Sequence, residues 1–244
     1  MKAIILAAGR GERMRPLTDH CPKPLLEVHG KPLIEWHLEA LARGGIDEVV
    51  VNTAWLEEQI VARLGDGARF GLHIRYSMEG RDHGGALETA GGLKKALPLL
   101  RAGSTGKAVD EFWYVAGDVH APGFPFGAVP AHSLAGSGLL ARLWMVDNPP
   151  QHPAGDFAID AGLATPGTAS ARLTWSGIGL FSVAFVDELM ADLAPGSKAP
   201  LRPCLDRAIA QRRLGAVHYN GPWVDVGTPD RLKALQGAAD RRGA

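Results

Sequence analysis

Cysteine is scarce in this chain of 244 residues, with Cys21 and Cys204 its only two. Thiols so far apart make no disulfide framework, so a reduced, cytoplasmic setting is expected. Net charge is missing as well, because 26 Lys and Arg balance 26 Asp and Glu. That balance argues against a general nucleic-acid binder and against an anionic-membrane binder, and it leaves room for a local basic pocket. No apolar run is long enough to span a bilayer. Lys2 and Ala3–Ala8 have the outline of a secretion signal, yet the run is too short and Arg10, Glu12 and Arg13 follow at once. The nine histidines show no His-x-x-x-His or Cys/His zinc spacing. A Gly-x-x-x-x-Gly-Lys-Ser/Thr phosphate loop is absent too. What is present is 46% hydrophobic and 21% charged residues, enough for a sizeable core in a soluble globular protein.

Apolar runs alternate with amphipathic segments. Ala3–Ala7 reads as a buried strand and Pro32–Arg43 as a helix stopped by Gly44-Gly45. Glu48–Asn52 is a second strand, and Trp55–Leu64 a helix closed by Gly65-Asp66-Gly67. Leu72–Ser77 reads as a strand, Ala86–Leu97 as a helix ended by Pro98, and Glu111–Ala116 as a strand running into Gly117-Asp118. This succession predicts an α/β fold with a mostly parallel sheet. The second half is less regular. Strands are expected over Gly138–Val146, Phe157–Asp160 and Ala171–Leu180, and helices over Val183–Leu193, Leu201–Arg212 and Pro229–Ala239. Ala102–Asp110 and Ala161–Ala169 read as small-residue loops, and Trp36 and Trp55 as core residues on helices. With no repeat and no clear linker, one domain over 1–244 is expected.

The first strand opens into Gly9-Arg10-Gly11-Glu12-Arg13-Met14-Arg15-Pro16-Leu17-Thr18, followed by Pro22-Lys23-Pro24-Leu25. Glycines let a backbone fold closely around phosphate oxygens, with N–H groups as donors. A dinucleotide fingerprint would need a third glycine where Met14 stands, and a helix that Pro16, Pro22 and Pro24 forbid. The second strand also ends in Asn52 rather than in an acid for a ribose. The remaining design is a loop that wraps a nucleoside triphosphate, with Arg13 and Lys23 reaching in beside Gly9 and Gly11.

These two motifs resemble the signature of the sugar-1-phosphate nucleotidyltransferases. Glu88-Thr89-Ala90-Gly91-Gly92, Gly117-Asp118-Val119, Asp147-Asn148-Pro149, Ser176-Gly177-Ile178 and Trp223-Val224-Asp225-Val226-Gly227-Thr228 occur in that family's order, over nearly the whole chain. Within the family, the short length, Gly11-Glu12-Arg13-Met14-Arg15 and the ending from His218 to Thr228 resemble the N-acetylmuramate α-1-phosphate uridylyltransferases of peptidoglycan recycling. Mannose-1-phosphate guanylyltransferases are near relatives with similar motifs, and GDP-mannose synthesis is the alternative activity. The resemblance implies a Rossmann-like, mostly parallel mixed sheet flanked by helices, the nucleotide-diphospho-sugar transferase fold. Residues 1–120 would serve the nucleotide and 121–244 the sugar.

The implied reaction joins a nucleoside triphosphate to a sugar 1-phosphate and releases pyrophosphate. Its nucleophile is already an anion, so catalysis rests on positioning and charge neutralisation. Arg13 would hold the triphosphate, and Lys23 would bridge the sugar phosphate and the α-phosphate. Ala8, Gly9, Gly11, Glu12, Glu88 and Gly91 would complete the nucleotide site, and Glu79 could read base or ribose donors. Asp118 and Asp225 would hold Mg²⁺. Asp147, Asn148, Gly155, Asp156 and Ser176 would face the sugar. One departure stands out, because the resembling uridylyltransferases usually place Asn two residues before the metal aspartate, where this chain has Ala116. The expected partners are the two small-molecule substrates, with no nucleic acid and no membrane, for a monomer or small homo-oligomer. Two other classes compete: a nucleotide-sugar sensor without catalysis, and a dinucleotide-dependent oxidoreductase.

Overall fold

The computed structural model describes residues 1–102, 109–127, 133–168 and 171–240. The amino-terminal part runs β1 (Lys2–Leu6), β2 (Glu27–Val28), β3 (Lys31–Pro32), α1 (Leu33–Arg43), β4 (Glu48–Thr53), α2 (Glu57–Leu64), β5 (His73–Met78), α3 (Glu79–His83), α4 (Glu88–Arg101) and β6 (Glu111–Ala116). The rest runs β7 (Val119–His120), β8 (Ala141–Val146), β9 (Phe157–Asp160), β10 (Leu163–Thr165), β11 (Arg172–Ser182), α5 (Val183–Leu189), α6 (Arg202–Ala210), β12 (Leu214–His218), β13 (Val224–Asp225) and α7 (Pro229–Asp240).

Among the described residues, nine strands form one sheet in the order β5-β4-β1-β6-β11-β8-β12-β10-β9. β5, β4, β1 and β6 are parallel, as the alternation of strands and helices predicts. β11 then runs antiparallel between β6 and β8, and β12 lies parallel to β8, so the sheet is mixed beyond β6. β1 is buried on both faces, which is why it reads as an unbroken apolar run. Ile4 joins Leu93, Leu97 and Leu100 of α4 on one face, whereas Ala3 and Ile5 join Leu38 and Leu41 of α1 on the other. The register pairs Leu6 with Asn52 on one side and with Ala116 on the other. Three strands therefore end level, and the loops at their ends are brought side by side.

Several elements differ from expectation. α4 continues past Pro98 to Arg101. Proline removes one backbone donor, but Leu97 and Leu100 are both buried in the core and carry the helix one more turn. The expected helix to Arg212 stops at Ala210, and β12 comes next, a strand whose Gly215 obscures alternation in the sequence. Leu163–Thr165 forms β10 inside an expected loop. Residues 103–108 and 169 of the two expected loops lie outside the described residues. Among the described residues, no helix is long and apolar enough to cross a membrane.

Candidate active site

The level ends of β1, β4 and β6 open into a cleft of ≈ 440 Å³. Ala8, Gly9, Gly11, Glu12, Arg13 and Lys23 line one side and Glu88 lines another, with Asp118 between them. The structure thus gathers most of the nucleotide residues expected from sequence. Met14, Asn52, Thr89, Tyr114 and Gly227 also line it. Met14, Thr89 and Gly227 belong to the motifs quoted above, whereas sequence reasoning does not assign Asn52 or Tyr114 to the site, although both lie at or near the carboxyl ends of strands, where ligands gather in open α/β sheets.

The glycine-bearing loop is braced from behind. Gly11 has φ +69°, a left-handed conformation, and a Cβ there would lie 3.0 Å from Thr18 Cγ2. Thr18 Oγ1 donates to the Gly11 carbonyl at 2.8 Å. Arg10 stacks over Trp55 with its guanidinium carbon 3.7 Å from the ring centroid, donates to Thr18 O, and pairs with Asp19. Trp55 Nε1 donates to the same Thr18 carbonyl at 2.9 Å. Trp55 is therefore half-buried and pins the loop instead of filling the core. Arg10 and Arg15 are both committed to Asp19, at 3.1 and 2.8 Å, and together they hold its carboxyl below the usual range. Arg13 is exposed on the cleft, the one arginine of the loop left facing it.

Lys23 is 8% exposed, in a short turn that Pro22 and Pro24 restrain. Its Nζ donates to Asp118 Oδ2 at 2.8 Å. Gly117 brings Asp118 to this position: its N–H donates to Leu6 O at 2.9 Å, and a Cβ would sit 2.6 Å from that oxygen. The second acid arrives through β13, which pairs antiparallel with β7 so that Asp225 lies opposite Val119. Val226 N–H donates to the Asp118 carbonyl at 2.9 Å. Asp225 also pairs with Arg231 of α7. Among the described residues no cluster of three or more His, Cys, Asp or Glu is poised to hold a metal. Asp118 lines the cleft and is paired with Lys23, whereas Asp225 is paired with Arg231 and is not part of the cleft lining. Two carboxylates are nonetheless a number that Mg²⁺ commonly takes, with water and phosphate oxygens completing its shell.

His37 of α1 supports this corner, with Nε2 2.7 Å from Val119 O. Complete burial pushes its imidazole down to about 4 from 6.5. The folded value lies below the unfolded one, so stability present above the unfolded value is lost as pH falls toward the folded value, where the unfolded chain binds the extra proton. Roughly 3 kcal/mol is at stake across that window. A His37→Gln variant, which retains a donor toward Val119, is expected to show a flatter dependence of Tm on pH under acid. An unchanged slope would contradict the assignment.

Other expected residues fall elsewhere. Glu79 is fully buried, so it reads no base or ribose directly. Gly91 lies within α4 and not on the cleft, where a Cβ would stand 2.2 Å from the Ser197 carbonyl oxygen. Gly91→Ala should cost about 1–3 kcal/mol, read as a lower urea midpoint with an unchanged m-value; a neutral result would mean that the 197 segment yields freely. Asp147 is exposed and 3.0 Å from His218. Asn148 donates to Arg172 O and accepts from Thr174, while Asp156 accepts from Trp175 N–H and lies 3.2 Å from His152. Gly155 has φ +60°, with a Cβ position 2.8 Å from Asn148 Oδ1. Ser176 is buried, its Oγ accepting from Ile178 N–H. These five do not line the cleft. Of them Ser176 adjoins its wall: a Cβ on the next residue, Gly177, would lie 2.8 Å from that of Ala116, and the ring of Trp175 lies 5.2 Å from Tyr114.

The family model "Nucleotidyl transferase" matches residues 2–129. The chain is 45% identical over 241 residues to the N-acetylmuramate α-1-phosphate uridylyltransferase of Neisseria meningitidis serogroup B, covering 98% of each. It is 33% identical over 251 residues to the protein of that name from Caulobacter vibrioides, covering 96% of this chain and 95% of the other. A crystal structure of a putative glucose-1-phosphate thymidylyltransferase from Bacillus anthracis superposes with TM-score 0.80 at 20% identity, covering 98% and 95% of the two chains. That likeness establishes the nucleotide-diphospho-sugar transferase fold. The chain belongs to the nucleotidyl transferase family and is an enzyme of the sugar-1-phosphate nucleotidyltransferase class.

Proposed function

We propose that this chain makes UDP-N-acetylmuramate and pyrophosphate from UTP and N-acetylmuramate α-1-phosphate, in the reduced cytoplasm and in the service of peptidoglycan recycling. The observation that carries the chemistry is the ion pair of Lys23 and Asp118 at 2.8 Å, beside a braced glycine loop. The full-length identity to the Neisseria protein supports the choice of substrates.

In this reading the triphosphate enters between the Gly9–Arg13 loop and the segment at Glu88. The N-acetylmuramate phosphate oxygen forms a bond to the α-phosphorus, and the bond from that phosphorus to the bridging oxygen breaks. Both electrons leave with pyrophosphate. Arg13 offers its fork of donors to the departing oxygens. Lys23, a compact ammonium, offsets the repulsion between attacking and attacked phosphates. Asp118 and Asp225 would hold Mg²⁺, which supplies charge neutralisation at the phosphates. The walls beyond Ala116, with Asp147, Asn148, Gly155, Asp156 and Ser176, would form the sugar side. The small Ala116 leaves room there without offering a hydrogen bond.

The test is pyrophosphate release from UTP in Mg²⁺, with and without N-acetylmuramate α-1-phosphate. Release that needs both substrates supports the reading. Binding of a nucleotide-sugar without release would favour the sensor instead.

A further inference from the structure

We propose that Asn52 and Glu79 form a positioning pair that sets the gap between the two lips of the nucleotide cleft. The proposal rests on the reading of that cleft as a triphosphate site. Asn52 lies at the end of β4 and Glu79 at the start of α3, and they are 2% and 0% exposed. Asn52 Oδ1 accepts from Ala7 N–H at 2.7 Å, on the strand that opens into the glycine loop. The same N–H also lies 3.1 Å from the Asn52 carbonyl. Asn52 Nδ2 donates to Glu79 Oε1 at 2.7 Å. Glu79 Oε2 accepts from Leu87 N–H at 2.7 Å, one residue before Glu88 on the opposite lip. A short buried chain of hydrogen bonds thus runs behind the cleft from one lip to the other.

Two further observations show that this chain is built in. A Cβ on Gly92 would lie 2.4 Å from Glu79 Oε1 and 2.7 Å from Asn52 Nδ2, so α4 must present glycine here. Glu88, which lines the cleft, has φ +60°, a left-handed conformation unusual for a residue with a side chain. Leu87 is fixed on both sides of its peptide, because its carbonyl also accepts from Ala199 N–H at 3.0 Å. The strained residue is therefore held in place by its neighbour. Neither Asn52 nor Glu79 has to touch the reacting atoms. Asn52 lines the cleft itself and also acts through Ala7, whereas the effect of the buried Glu79 on nucleotide binding would pass through Asn52 and Leu87.

The polarity of the pair can be reversed, and that gives a sharp test. In Glu79→Gln, one amide oxygen must serve two donors, Asn52 Nδ2 and Leu87 N–H. In the double variant N52D/E79Q, the carboxylate introduced at 52 accepts from Ala7 N–H and from the new amide at 79. That amide's oxygen accepts from Leu87 N–H. All three bonds survive, and the number of carboxylates is unchanged. Glu79→Gln and Asn52→Leu should each weaken UTP binding roughly tenfold, as loss of a buried hydrogen bond does. Titration calorimetry with UTP and Mg²⁺ reads this without turnover. In the pyrophosphate assay the KM for UTP should rise, with kcat and the KM for sugar phosphate changing less than about threefold. N52D/E79Q should return UTP affinity to within about threefold of wild type. A folded double variant no better than Glu79→Gln would overturn the proposal, as would single variants that lower Tm but bind UTP normally. A wild type that binds no nucleoside triphosphate overturns the cleft reading and the pair with it. That outcome is recognisable from the wild type alone.

Discussion

Replacing Lys23 by Ala is expected to lower kcat by roughly a thousandfold, the scale seen when a preorganised electrostatic contact to a transition state is removed. Its surroundings give the reason. The ammonium is held in a proline-framed turn, is largely buried, and faces Asp118 across 2.8 Å. A charge fixed in a partly desolvated cleft acts on phosphate oxygens far more strongly than one in water. The same geometry predicts a small cost in stability. Asp118 is 42% exposed, so water can solvate the carboxylate left behind, and exposed pairs contribute about 0–1 kcal/mol. Steady-state kinetics alongside a thermal melt would check this: kcat should collapse while Tm barely moves. Lys23→Arg should not restore the rate, since a planar fork does not replace a compact ammonium in a restrained turn. Near-normal turnover in Lys23→Ala would remove Lys23 from the chemistry.

Asp118→Asn is the second variant expected to have a large effect. The side chain keeps its shape and loses its charge, so Lys23 faces a neutral amide and one of the two proposed Mg²⁺ carboxylates is gone. A drop in kcat of about a thousandfold or more is expected, together with a higher Mg²⁺ concentration for half-maximal rate. Asp225→Asn should change the rate in the same direction with a smaller loss. That acid already shares its charge with Arg231, and the β7–β13 pairing sets it opposite Val119, the residue after Asp118. Titrating the rate with Mg²⁺ for the three proteins separates a metal role from a purely structural one. An unchanged Mg²⁺ dependence in both variants would contradict the metal assignment.

The parallel core and the nucleotide loop are legible in the sequence because their signals are local. Ala3–Leu6 and Val49–Val51 are apolar on both faces and cannot be other than interior strands of a covered sheet. Gly11 and the prolines around Lys23 carry their constraints within a few positions. The half of the chain beyond β6 is less legible, since β11 and β12 owe their places to partners far away in sequence, and Gly215 breaks the alternation that would mark β12. The same limit applies at the site. Glu79 looks like a reader of ligand from its place before the glycines, yet it is fully buried and bonds Leu87 N–H and Asn52. Asn52 ends a strand without an acid, and only the fold shows that its amide reaches Ala7. Gly91 belongs to a motif but answers to the Ser197 carbonyl. On the sugar side, Asn148, Asp156 and Ser176 bond to their own neighbouring backbone and side chains. No spacing in the sequence distinguishes such bonds from bonds to a sugar.

The most direct test is a matrix of kcat/KM values in Mg²⁺, with UTP, GTP, CTP, ATP and TTP each set against N-acetylmuramate, mannose and glucose 1-phosphates. UTP with N-acetylmuramate α-1-phosphate is expected to exceed every other pair, with UDP-N-acetylmuramate and pyrophosphate formed in equal amounts. A maximum at GTP with mannose 1-phosphate, or no pyrophosphate from any pair, would contradict the proposed activity.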